Sequence, residues 1–107
     1  MHKEIHEQID TIANTMRGRV RPDAVLLHGL SEFWDEIEAS NKIYITACGT
    51  SWHAGLIGKL LVEKFSDTPV SVEYASEFRY NHTLIDSQTV VIAISQSGET
   101  ADTLAAI

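Results

Sequence analysis

Twice in this chain an apolar, β-branched run breaks at a small, hydroxyl-rich turn and resumes as a helix. The first run ends in Ala47-Cys48-Gly49-Thr50-Ser51 and the second in Ser95-Gln96-Ser97-Gly98-Glu99-Thr100. A strand that leads into a helix does not return through a tight hairpin. The next strand is reached by a crossover and runs parallel to the first. The repeated strand-turn-helix unit therefore restricts the chain to a parallel α/β sheet with right-handed connections and helices on its faces.

The remaining segments fit that rhythm. Lys42 to Ala47 alternates around β-branched and aromatic residues and reads as a strand, after which Ser51 is placed to cap a helix from about Trp52 to Phe65, with Pro69 barring continuation. Val70 to Tyr74 reads as a second strand, Ser76 to Tyr80 as a helical turn, and Thr89 to Ser95 as a third strand. That third strand is apolar almost throughout, the pattern of burial on both faces. Ahead of the sheet, Lys3 to Met16 is a helix with Ile5, Ile9, Ile12, Ala13 and Met16 on one stripe, closed by Arg17-Gly18-Arg19. A linker at Arg21-Pro22-Asp23 leads to a short helix that Ser31 would cap and Asn41 would end, with Phe33 and Trp34 as core anchors. The expected organisation is an amino-terminal helical segment, residues 1–41, followed by a partial sheet domain, residues 42–107. The last helix has run only about two turns at Ile107, so the chain reads as a piece of a longer one.

Size and charge narrow the functions. A chain of 107 residues is at most one domain with a modest core. Fifteen Asp and Glu against eight Lys and Arg give a formal net charge of -7, which excludes the broad basic surface that nucleic acid or an anionic membrane requires. No apolar stretch approaches the roughly 20 residues of a membrane-spanning helix. Cys48 is the sole cysteine, so no internal disulfide forms, and Met1-His2-Lys3-Glu4 opens no signal peptide. A cytoplasmic location is expected.

In doubly wound sheets, ligands bind outside the carboxyl ends of strands, where the winding reverses. If the strand from Lys42 is central and the third strand lies beside it, Thr50, Ser51, Ser95 and Ser97 converge on one crevice. Hydroxyls, backbone N–H groups and a helix terminus there suit a single phosphate. Gly49 and Gly98 keep side chains from blocking the backbone donors. Neutral donors suffice for such a group, so the acidic balance does not oppose it. Neither G-x-x-x-x-G-K-[ST] nor G-x-G-x-x-G occurs, which disfavours a nucleotide. The plainer alternative is that these Ser, Thr and Gly residues only cap and turn the backbone; two such turns in corresponding positions favour phosphate.

The two turns, together with Tyr74-Ala75-Ser76-Glu77-Phe78-Arg79-Tyr80 and the continuation Ala101-Asp102-Thr103, closely resemble the first sugar isomerase (SIS) module of the glutamine:fructose-6-phosphate amidotransferases. The resemblance covers nearly the whole chain. His2-Lys3-Glu4-Ile5-His6-Glu7-Gln8 resembles the segment that enters that domain from the glutaminase half, although Ile9 stands where the family usually has proline. It implies a five-stranded, flavodoxin-like, doubly wound parallel sheet, of which this chain would hold a three-stranded portion with flanking helices. It also carries over Cys48, Gly49, Thr50, Ser51, Ser95, Gln96, Ser97 and Thr100 as sugar-phosphate contacts. Ser95, Ser97 and Thr100 would take the phosphate, and Gln96, Cys48 and Thr50 would sit nearer the sugar.

The implied ligands are fructose 6-phosphate and glucosamine 6-phosphate, with no cofactor and no metal. The implied partners are the remainder of the parent chain and a second copy. In the family, a carboxylate moves a proton between adjacent carbons, a histidine opens the ring and a lysine lies near the carboxyl terminus. All three would lie beyond residue 107, and the glutaminase half is absent, so binding without catalysis is expected. The alternative is a SIS-type sensor that reports a sugar phosphate to a regulatory domain. The acidic residues ahead of this module are too few for the basic helix-turn-helix of such regulators.

Several residues have plainer readings. His2 and His6 lie one helical turn apart but lack a third ligand, and read as solvated. Cys48 reads as a small buried side chain beside the ligand, not a reactive thiolate. Trp52 and His53 open the helix after the first turn, where an imidazole reads as packing or solvated. Glu99 complements a helix dipole. Glu77 and Arg79 would pair with each other or face a neighbouring subunit. The unpaired strand edge of a partial sheet invites self-association.

Overall fold

The computed structural model describes residues 1–106 and divides into two units, Met1–Trp34 and the part from Asp35 onward. In the first unit, helix α1 (His2–Met16) ends at Arg17, and Gly18 turns the chain with φ +75°. An antiparallel bridge between Val20 and Val25 closes the loop around Arg21-Pro22-Asp23, and a 3-10 helix follows over His28–Phe33. No residue of α1 is buried. Its apolar stripe is exposed, with Ile9 at 83 %.

The expected short helix takes a different form. Ser31 lies inside the 3-10 helix, and its hydroxyl donates backwards to the His28 carbonyl at 2.8 Å instead of capping a following turn. The α-helical part, α2 (Trp34–Glu38), is five residues long and ends before Asn41. Ser40 closes it by donating its hydroxyl to the Ile37 carbonyl at 2.7 Å. Asn41 belongs instead to the sheet, giving its backbone N–H to the Gln88 carbonyl at 3.0 Å and its side-chain amide to Gln88 Oε1 at 2.9 Å. Phe33 and Trp34 are exposed, not core anchors. A 3-10 helix eclipses residues three apart and has no broad face to bury, and α2 is too short to provide one.

The second unit alternates strand and helix: β1 (Lys42–Ala47), α3 (Gly49–Phe65), β2 (Val70–Tyr74), α4 (Ala75–Phe78), β3 (Thr89–Ile94) and α5 (Ala101–Ala106). The three strands form one parallel sheet in the order β2-β1-β3. β1 is central, and the winding reverses on either side of it, which makes its carboxyl end the switch point of a doubly wound sheet. Ile43 pairs with Val70 and with Val90. Ile43, Ile45 and Val70 form the core, with Val62, Val72, Val90 and Ile94 packed against them. On β1, Tyr44 meets Phe78 of α4 with ring centroids 5.8 Å apart, and Thr46, Ala47 and Ala75 have no exposed surface.

Two features bind α3 to the sheet. At Gly55 the helix comes so close that an added Cβ would stand 2.9 Å from Ile45 Cγ2 and 3.2 Å from Val72 Cγ1. At the other end of β2, Glu63 Oε1 accepts the Val70 N–H at 3.0 Å and the Lys59 ammonium at 2.6 Å, while the same ammonium donates to the Val70 carbonyl. β3 departs from expectation: Ile92 and Ala93 are exposed and the rest of the strand is half-buried. Among the described residues it pairs with β1 alone, so its apolar run lacks the second neighbour that would complete its burial.

Candidate functional site

Register brings the two hydroxyl-rich turns to the same edge of the sheet. Ala47 and Ile94 are partners at the carboxyl ends of β1 and β3, so Cys48 and Ser95 leave adjacent strands at one level. On the other side of β1, Ala47 is partnered by Tyr74, the last residue of β2. Three strand ends thus open at one place.

In the first turn, Cys48 is extended and holds the N-cap position of α3 without a side-chain cap bond. Gly49 follows with φ +56°, a left-handed conformation that favours glycine. The helix begins there, not at Trp52, so Ser51 sits within its first turn and is not its cap. The left-handed glycine accounts for the difference: it redirects the chain two residues ahead of Ser51. The Trp52 N–H reaches back to the Cys48 carbonyl at 3.4 Å. An α-helix leaves the amides of its opening residues without intrahelical acceptors, and Gly49 and Thr50, which carry such amides, are exposed. Cys48 and Ser51 are half-buried, which leaves the Cys48 side chain less enclosed than expected.

In the second turn, Ser95 Oγ accepts the Gly98 N–H at 2.9 Å and lies 3.4 Å from Thr100 Oγ1, while Ser97 Oγ accepts the Glu99 N–H at 3.1 Å. Gly98 has φ +70°. A serine hydroxyl that accepts from the backbone keeps its own proton to give. Gln96, Ser97 and Glu99 are exposed, and Ser95 and Thr100 are half-buried. Thr100 accepts the Leu104 N–H at its carbonyl, 3.0 Å away, and leads into α5. Glu99 lies just ahead of that helix.

An aromatic pair at the same edge was not foreseen. Trp52 stacks on Tyr74 with ring centroids 4.4 Å apart and planes inclined by 8°, and the exposed His53 meets Trp52 edge-on at 5.1 Å. The signal was present in the sequence, since Trp52 follows the first turn directly and Tyr74 ends the neighbouring strand. Glu77 and Arg79 form no ion pair with each other among the described residues; Arg79 lies over the Tyr80 ring at 5.2 Å. The His2 and His6 rings stand 4.6 Å apart, and no group of three or more His, Cys, Asp or Glu among the described residues is arranged to hold a metal ion. A cleft of about 300 Å³ in the first unit, lined by Val25, Leu26, Leu27, His28, Ser31 and Trp34, includes none of the turn residues. No helix among the described residues is long and apolar enough to cross a membrane.

Comparison with known proteins places the chain in a family. The SIS domain family matches residues 36–107. Over its entire length the chain is 54 % identical to the isomerizing glutamine–fructose-6-phosphate aminotransferase of Chlorobaculum tepidum and 57 % identical to that of Bacteroides thetaiotaomicron, covering 18 % of each relative. A solved structure, the C-terminal domain of glucosamine-fructose-6-phosphate aminotransferase from Francisella tularensis, is similar with a TM-score of 0.85 at 40 % identity. The match covers 98 % of this chain and 29 % of that one.

Proposed function

The chain belongs to the SIS domain family, and from that membership we propose that it supplies the phosphate-holding part of a sugar-isomerase site for fructose 6-phosphate and glucosamine 6-phosphate. Ser95, Ser97 and Thr100 take the phosphate. Cys48, Gly49, Thr50, Ser51 and Gln96 complete the contacts on the side of the sugar. The parent protein is read as the cytoplasmic enzyme that forms glucosamine 6-phosphate from fructose 6-phosphate and glutamine, with the rest of that chain and a second copy as partners. The matched relatives carry aminotransferase names, which leaves the sensor alternative without support.

The observation that carries this reading is the pairing of Ala47 with Ile94, which sets two donor-rich turns on neighbouring strand ends. A phosphate in that crevice would be held by neutral donors. Hydroxyl and amide protons form charge-assisted bonds to its oxygens, each contributing about 1.5–3 kcal/mol. Anchoring the end of the sugar that does not react lets binding energy orient the carbons that do.

Calorimetric titration of the 107-residue chain tests the reading. Glucosamine 6-phosphate is expected to bind, unphosphorylated glucosamine to bind far more weakly, and Ser97→Ala to lose affinity for the phosphorylated sugar. Equal binding of the two sugars, or no binding by a folded chain, overturns it.

A further inference from the structure

The first turn has an unusual support. Its helix has no side-chain cap, its first backbone bond is long at 3.4 Å, and Gly49 and Thr50 stand exposed. Among the described residues, no side-chain hydrogen bond fixes where Thr50 and Ser51 point. The firm contact next to them is the stack of Trp52 on Tyr74, at 4.4 Å and nearly parallel. Tyr74 is in turn fixed, because it ends β2 in register with Ala47 and leads directly into the buried Ala75 of α4. The stack thus joins the opening of α3 to the end of β2.

A second observation sets this pair apart from ordinary packing. Trp52 Nε1 is buried and has no hydrogen-bond partner among the described residues. A buried donor without an acceptor is unfavourable, so the indole N–H is not what keeps the ring in place. The flat face of the ring is, and stacking needs only an aromatic surface.

We propose that Trp52 and Tyr74 are positioning residues for the sugar-phosphate site: their stack holds the opening of α3 so that Thr50 and Ser51 face the second turn. The inference rests on the function proposed above. Neither ring needs to touch the ligand. What the stack supplies is preorganisation, since a turn already held in place loses less freedom when the ligand binds.

The test combines affinity with amide hydrogen exchange on the 107-residue chain. Trp52→Ala and Tyr74→Ala are each expected to weaken glucosamine 6-phosphate binding about fivefold to tenfold, the factor an aromatic pair commands. The double variant should be no weaker than either single one, because both remove the same contact. Trp52→Phe, which keeps a stacking face and removes the orphaned donor, should stay within about twofold of the native chain. In the two alanine variants, exchange should quicken at residues 52–55, whose amides bond back to the carbonyls of residues 48–51 at the opening of α3, and stay unchanged at residues 60–64 of the same helix. That last readout needs no ligand. If the native chain fails to bind the phosphorylated sugar, the functional reading falls, while localised exchange still supports the positioning role. Native-like exchange at residues 52–55 in both alanine variants overturns the positioning role whatever the affinity, and so does a Trp52→Phe variant that binds as poorly as Trp52→Ala.

Discussion

At the scale of single residues, Ser95 and Ser97 of the second turn each accept a backbone N–H, and a hydroxyl that accepts keeps a proton to give to the proposed phosphate. Ser97→Ala removes one such proton and should weaken glucosamine 6-phosphate binding by about 1.5–3 kcal/mol, read by calorimetry; an unchanged affinity removes Ser97 from the phosphate contacts. Gly55 makes a different demand. A methyl there would press on Ile45 and Val72 at 2.9 and 3.2 Å. Both are β-branched and have little freedom to move aside. Overpacking of about 1–3 kcal/mol exceeds the helix-propensity gain of at most about 1 kcal/mol, so Gly55→Ala should lower the urea midpoint at unchanged m-value. The position of the two turns was legible in the sequence because each apolar run breaks at Gly and hydroxyl residues just ahead of a helix. The true start of α3 was not, because a left-handed Gly49 followed by a helix without a side-chain cap leaves no capping pattern to read.

Among the elements, α3 and β2 are joined where Lys59 and Glu63 meet the backbone of Val70. The Lys59 ammonium, and then the Val70 N–H, hold the Glu63 carboxyl below the ordinary glutamate value. A carboxyl whose folded value is depressed contributes stability that is complete above its unfolded value, about 4.3, and lost as pH falls through the lower folded one. Between about pH 5 and 3 the native chain should therefore lose more thermal stability than Glu63→Gln, with the two curves converging at the acid end. Parallel melting curves across that range would show that the clasp contributes nothing. The exposure of both side chains keeps the effect small. Long elements with a clear period were legible: the bounds of β2 and the end of α3 stand where the residues indicate. The 3-10 helix was missed because Ser31 is as suited to bonding backwards to His28 as to capping forwards.

On the scale of the whole molecule, burial was harder to read than topology. The apolar run of β3 indicates a strand buried on both faces, yet Ile92 and Ala93 are exposed, and among the described residues the strand pairs with β1 alone. Sequence reports what a segment can bury and is silent on what is present to bury it. The open side of β3, with Ile92 exposed, is a template for another strand. The chain is accordingly expected to self-associate with rising concentration in sedimentation velocity, and Ile92→Lys to return it to monomer; a native chain that stays monomeric throughout would show that the edge is protected. The central place of β1 also has a temporal consequence. It leaves the ribosome before both of its partners, β2 and β3, and the pairing of Ala47 with Ile94 waits until the last of them is made. At roughly 5–20 residues per second, Ile43 and Ile45 spend seconds in water, and the sheet closes only after nearly all of this stretch has been translated. Until the sheet closes, a nascent chain of this design should be a client of holding chaperones.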